Sequence, residues 1–293
     1  MPDHQSTQPS TESTSQPPLV WAAFEELRSR LSEASGLLFG TDFDGTLSPI
    51  AENPDAPKPT EPNLRSLRTF REHPRVRPAV ISGRRLTDLR ERLGLSGVDC
   101  IGNHGLELDI DGSRKTHPDA ASAEPVIDDV CHRLASRLDQ IEGTLIENKG
   151  VTATIHYRQV DRAAVETVET HVRDVVSEFG EGELEIHDGK ESLELRPAAD
   201  WDKGSALSQL REQVDDTWVP FYIGDDTTDE AAFRAVGEDG ITVHVGDNAR
   251  TAAAYRVRNS TEAETFIRWL STDGLTVLSA DSPESTTDGN REM

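Results

Sequence analysis

Apolar residues along this chain fall into short continuous runs that alternate with helically spaced faces, except in one central stretch. Leu19, Phe24, Leu27 and Leu31 predict a helix over 19–34. It leads into Leu37-Leu38-Phe39-Gly40-Thr41, a run that reads as a buried strand. Leu64, Leu67 and Phe70 lie at i, i+3 and i+6 on a second helix, 78–81 is a short strand, Leu86, Leu89 and Leu93 mark a third helix, and 98–101 is another strand. The alternation resumes late in the chain, with helices at 204–213 and 229–236, strands at 219–223 and 241–245, and a last helix at 262–270. Strand–helix alternation predicts an α/β fold, a Rossmann-like doubly wound parallel sheet covered on both faces. Its ligands should gather at the C-terminal ends of the strands.

Between 108 and 197 the rhythm changes. A helix at 125–141 precedes strands at 144–149 and 151–158, and a helix at 162–179 precedes strands at 184–187 and 192–196. This αββ-αββ repeat predicts an α+β cap domain over 108–197, inserted into a core domain made of 19–107 and 198–272. The Ser/Thr/Gln/Pro-rich start, 1–18, and the polar end, 280–293, are expected to be disordered tails. The proline-rich stretch 49–62 should be irregular.

Charge narrows the choice of partners. A net charge of −24 over 293 residues argues against nucleic acid or an anionic membrane as partner. Five lysines (Lys58, Lys115, Lys149, Lys190, Lys203) stand against 25 arginines and 54 acids, a balance that resembles proteins of salt-accumulating, halophilic cytoplasms. Two cysteines, Cys100 and Cys131, make no disulfide framework and suit a reducing cytoplasm. No apolar run reaches the roughly 18–20 residues of a membrane span. A monomer is expected.

Candidate chemistry lies at strand ends and helix starts of the core. Asp42 and Asp44 follow the first strand, and two carboxylates so close repel unless a cation or proton lies between them. Gly45 lets the backbone turn its N–H groups toward an anion. Ser82-Gly83 ends the second strand, Lys203-Gly204 opens a helix, and Asp225, Asp226 and Asp229 follow the strand at 219–223. Each has a plainer reading: an acidic loop, a turn, a solvated lysine, and a capping box from Thr227 to Glu230. Together they have one logic. Two carboxylate sets suit a hard divalent ion such as Mg²⁺, a hydroxyl and a lysine hold phosphoryl oxygens, and an aspartate attacks phosphorus.

These motifs, in this order, resemble the haloacid dehalogenase-like hydrolase superfamily. The resemblance narrows to the trehalose-6-phosphate phosphatases through DFDGTL (42–47), SGR (82–84), GNHGLE (102–107), ENKG (147–150), HYR (156–158), HDGK-x-x-LELRP (187–197) and GDDTTDEAAF (224–233). It implies Mg²⁺-dependent hydrolysis of trehalose 6-phosphate through an aspartyl-phosphate, with Asp42, Asp44, Ser82 and Lys203 catalytic. Asp42, Asp44 (through its carbonyl), Asp225 and Asp229 would serve the metal. The resemblance also places Arg84, Asn103, His104, Glu147, Lys149, Arg158, Lys190, Ser192 and Glu194 on the substrate. From the residues alone, Lys190, Ser192 and Glu194 alternate onto one face of a strand, with Leu193 and Leu195 on the other. An ordinary half-solvated sheet shows the same alternation. The competing functions are a capped phosphatase for another sugar phosphate and a sugar-phosphate-binding regulator without turnover; the presence of both Asp42 and Asp44 argues against the latter.

Overall fold

The computed structural model describes residues 16–50, 57–248 and 250–279. The expected tails, apart from 16–18, lie outside the described residues, as does the 51–56 part of the proline-rich stretch.

The core sheet has eight strands: β1 (Gly36–Thr41), β2 (Val76–Ile81), β3 (Asp99–Gly102), β4 (Glu107–Ile110), β5 (Ser113–Thr116), β10 (Trp218–Gly224), β11 (Ile241–Val245) and β12 (Tyr255–Val257), in the order β12-β11-β10-β1-β2-β3-β4-β5. All pairs from β12 to β3 are parallel, and β1 and β10 lie at the centre. Alternate residues of these strands face opposite sides. Leu37, Phe39 and Phe221 meet Leu27 and Leu31, Phe70, Leu89 and Phe266 on one face. These come from helices α1 (Phe24–Glu33), α2 (Glu61–Glu72), α3 (Leu86–Leu93) and α8 (Ser260–Trp269). Leu38 and Tyr222 meet Leu207 of α6 (Lys203–Arg211) and Phe233 of α7 (Asp229–Val236) on the other. The fold is thus the doubly wound α/β sheet expected.

The central stretch forms a second, four-stranded antiparallel sheet in the order β6-β7-β9-β8. Its strands are β6 (Leu145–Asn148), β7 (Ala153–His156), β8 (Leu184–Gly189) and β9 (Ser192–Pro197). Helices α4 (Pro118–Leu138) and α5 (Arg162–Phe179) cover one face, where Ile127, Leu134, Val168 and Val172 pack on Ile155, Leu193 and Leu195. The other face, carrying Thr154, His156, Ser192, Glu194 and Arg196, turns toward the core sheet and lines a cleft.

Several boundaries differ from the sequence-based expectation. Residues 107–116 belong to the core sheet: β4 and β5 extend it as an antiparallel hairpin, so the sheet boundary lies beyond residue 108. The Asp111-Gly112 turn, with φ of 51° and 75°, is the pair such a hairpin demands. The exposed, polar 113–116 strand hides it from hydrophobic patterning. Helix α4 begins at Pro118 and runs through Pro125, because Ala120, Ala123 and Ile127 are buried on either side of that proline. The Thr227–Glu230 capping box does not form: the Thr227 hydroxyl turns to Asp226, and the Glu230 carboxylate accepts from the Ala252 N–H at 2.7 Å. Among the described residues no helix is long and apolar enough to cross a membrane.

Candidate active site

Asp42 and Asp44 leave the C-terminal end of β1, and Asp225 leaves its parallel neighbour β10. Pairing of the two strands therefore brings both acidic turns to one edge. Gly45 makes the approach possible. With φ at 80° and no side chain, it lets the Asp225 carboxylate occupy space where a Cβ would lie 2.1 Å from Oδ2.

Asp42, Asp225 and Asp229 each offer a carboxylate oxygen within 4.8 Å of the others. Lys203, at the start of α6, is 2% exposed, and its Nζ donates to Asp42 Oδ1 and Asp229 Oδ1, both at 2.7 Å. A lysine at a helix start opposes the dipole, and here the two carboxylates supply the anion it needs. Asp229 is fully buried and largely committed: Tyr222 Oη also donates to Oδ1, at 2.8 Å, and the Asp226 N–H donates to Oδ2 at 2.9 Å. The second oxygen of Asp42 accepts no hydrogen bond among the described residues.

One lysine does not neutralise this group of acids. Burial, together with the neighbouring Asp229, Asp225 and Asp44 charges, holds the Asp42 carboxyl well above its ordinary range despite Lys203. Burial and the Asp229 and Asp226 charges push Asp225 up to about 7. Clustered carboxylates such as Asp42 and Asp225, held above their ordinary range for want of positive charge, form the donor set a hard divalent cation takes. The residues present therefore fit such an ion.

Asp44 is turned away from that trio. Its carboxylate is held by Arg84, whose guanidinium also reaches Asp88 at 3.0 Å and lies over the Phe43 ring. Any service Asp44 gives a metal would fall to its main chain. Ser82 ends β2, is 1% exposed, and accepts from the Arg84 N–H at 3.2 Å through its Oγ.

Above these groups, a cleft of about 680 Å³ separates the two sheets. Asp42, Asp44, Ser82, Arg84, Lys203 and Asp225 line its floor. His104, Glu147, Lys149, Arg158, Lys190, Ser192 and Glu194 line it too, so most of the expected sugar-site residues face the same space. Glu194, half-buried in the cleft lining, receives His104 Nε2 at 2.7 Å and Arg196 Nη2 at 2.6 Å. Burial opposes its charge, yet His104, Lys149 and Arg196 hold the carboxyl well below its usual value. Burial in turn lowers His104 to about 4, so the ring is neutral at neutral pH. Glu147 likewise stays below its ordinary value against burial, through the His156 hydrogen bond at 3.1 Å and the nearby Lys149. Lys190 is exposed, and its ammonium makes no hydrogen bond or ion pair among the described residues. Arg158 pairs with Glu191 at 2.8 Å.

Asn103 departs from expectation. It is fully buried, contributes nothing to the cleft lining, and spends its amide on protein partners. Sequence reasoning also missed Arg196 and Thr154, which line the cleft beside Glu194. Arg196 shares the alternating face of Ser192 and Glu194, so the period-two rule that selected those two also reaches it.

The sequence model of one family, described as Trehalose-phosphatase, matches residues 40–264. The trehalose-phosphate phosphatase of Mycobacterium marinum is 38% identical over 235 residues, covering 77% of this chain and 59% of the relative. That of Mycobacterium avium is 38% identical over 242 residues, covering 78% and 60%. The chain thus spans about three-fifths of the length of the curated relatives it matches. Among solved structures, a trehalose-6-phosphate phosphatase related protein superposes with a TM-score of 0.72 at 26% identity, covering 82% of this chain and 99% of that one. An Aspergillus fumigatus trehalose-6-phosphate phosphatase does so with a TM-score of 0.61 at 27% identity, covering 88% and 99%.

Proposed function

The chain belongs to the trehalose-phosphatase family, and on that premise we propose that it hydrolyses trehalose 6-phosphate to trehalose and inorganic phosphate. The observation that carries the reading is the shared cleft. Phosphoryl chemistry lines its floor, and mixed carboxylates and cations suited to a polyhydroxylated ligand line its roof.

In this reading the free oxygen of Asp42 attacks phosphorus in line, forming an aspartyl-phosphate as the bond to the sugar oxygen breaks. Asp44 gives its proton to that leaving oxygen and then takes one from the water that hydrolyses the acyl phosphate. Lys203 steadies Asp42 and draws charge from the phosphoryl oxygens; the Ser82 hydroxyl donates to another. Asp42, Asp225 and the Asp44 carbonyl would hold Mg²⁺, with Asp229 fixing Lys203 and the 225–226 turn around it. The bound ion supplies positive charge that lets a carboxylate and a phosphate dianion approach. Glu147, Lys149, Lys190 and Glu194 read the sugar hydroxyls, with His104, Arg158 and Ser192 at the margins.

The same proposal includes a core of 19–116 and 198–272 carrying a cap that spans the rest of the insertion. It also includes a monomeric, salt-adapted cytoplasmic life without nucleic-acid or membrane partners, supported by the charge of −24 and two buried free thiols. Phosphate release from trehalose 6-phosphate, sucrose 6-phosphate and glucose 6-phosphate, with Mg²⁺ and with chelator, tests it. Trehalose 6-phosphate should lead the panel, and both chelator and Asp42→Asn should abolish release. A different preferred ester, or turnover by Asp42→Asn with deamidation excluded, would overturn it.

A further inference from the structure

Asn103 and His104 end β3 in the left-handed region, at φ of 46° and 58°. Asparagine tolerates that region better than other side-chain-bearing residues. The turn stitches the chain back to the loop after β2: the Asn103 N–H donates to the Arg84 carbonyl at 2.7 Å, and the His104 N–H to the Ser82 carbonyl at 3.0 Å. The Asn103 side chain then points the other way. Its Nδ2 donates to Glu107 Oε2 at 2.7 Å and to the Lys149 carbonyl at 3.3 Å, and its Oδ1 accepts from Thr152 Oγ1 at 2.7 Å. Glu107 Oε2 also accepts from the Leu86 N–H, at 2.9 Å. Asn103 and Thr152 are both fully buried.

One buried amide therefore ties the β6–β7 turn of the inserted module to the segment that carries Ser82 and Arg84. The turn it holds bears Lys149, whose Nζ reaches the Gly83 carbonyl at 3.3 Å and lies 3.9 Å from Glu194. We propose that Asn103 is a positioning residue that sets the register of the inserted module against the phosphoryl-transfer floor, with Thr152 as its counterpart across the junction. A hydrogen-bonded amide suits the task, since the unmade bond leaves buried donors and acceptors unsatisfied and makes a misaligned closure unfavourable. For catalysis the inference rests on the proposed hydrolysis of a sugar phosphate. The structural part does not.

Two readouts test it. Nitroxide labels at the exposed positions Thr69→Cys, on the core, and Ser177→Cys, on the module, report the distance between the two bodies without substrate. Asn103→Ala and Thr152→Val should each broaden or shift that distance distribution, and Thr152→Ser, which keeps the hydroxyl, should restore it. In turnover of trehalose 6-phosphate, each of the first two should lower kcat/KM about ten-fold or more, and the double variant should lose no more than the worse single one. Distributions indistinguishable from the unmodified protein in both variants, or single losses that multiply in the double variant, would overturn the proposal. Because the distance needs no substrate, a failed substrate assignment leaves that arm readable.

Discussion

Arg84 holds both carboxylate oxygens of Asp44, Nε to Oδ2 and Nη2 to Oδ1, each at 2.7 Å. This fork is the geometry a planar guanidinium offers a carboxylate and a lysine does not. It fixes where Asp44 stands while leaving the carboxylate partly open to the cleft. Arg84→Lys keeps the charge and loses the fork. Charge-assisted hydrogen bonds contribute roughly 1.5–3 kcal/mol, so kcat should fall about ten- to a hundred-fold with KM little changed. Steady-state kinetics of the variant checks this; an unchanged kcat would release Asp44 from the role of positioned acid and base.

His104 gives the fold a defined response to acid. Burial lowers its pKa to about 4, below the usual value near 6.5, so the unfolded chain binds a proton there that the folded chain does not. Its contribution is complete above about 6.5 and is lost as pH falls toward 4. Glu194, held below its ordinary value, acts in the same direction at still lower pH. Thermal midpoints of the wild type should therefore fall between pH 6.5 and 4. In His104→Gln the fall should be shallower. Parallel profiles would show that the ring titrates normally in the folded protein.

Much of this arrangement is legible in the sequence for physical reasons. The buried strands of a doubly wound sheet are continuous apolar runs, so β1, β10 and β11 stand out. The acidic turns that follow them stand out because their carboxylates cluster directly after buried strands. Strand β9 announces both of its faces, since Leu193 and Leu195 alternate with Ser192, Glu194 and Arg196. The hairpin at 107–116, whose second strand is exposed and polar, and the three-residue β12 are too short to leave a period. The direction of the Asn103 side chain is not legible, because a motif gives a residue's neighbourhood in sequence and no more. The positive φ that turns it toward Thr152 is a property of the folded turn.

Salt should stabilise the protein. With 54 acids against 30 basic residues, self-repulsion weakens the compact state at low ionic strength, where the Debye length at 0.1 M is about 10 Å. Unfolding midpoints should rise with KCl from ~0.1 M upward. A flat or falling midpoint would remove the salt-adapted reading.

The central claim is that the floor of one cleft performs the phosphoryl transfer while its roof selects the sugar, and Lys190 tests it with least disturbance. It lines the cleft from the turn between β8 and β9, and its ammonium makes no hydrogen bond or ion pair among the described residues, its one internal effect being a charge that favours ionised Asp225, so Lys190→Ala removes the proposed sugar contact without breaking an internal hydrogen bond. The direct measurement is the ratio of kcat/KM for trehalose 6-phosphate to that for acetyl phosphate, which is too small to span the cleft, in the wild type and in Lys190→Ala. Loss of a charged hydrogen bond of roughly 1.5–3 kcal/mol should lower the ratio about ten- to a hundred-fold. An unchanged ratio, whether both activities hold or both fall together, would contradict the division of labour between floor and roof.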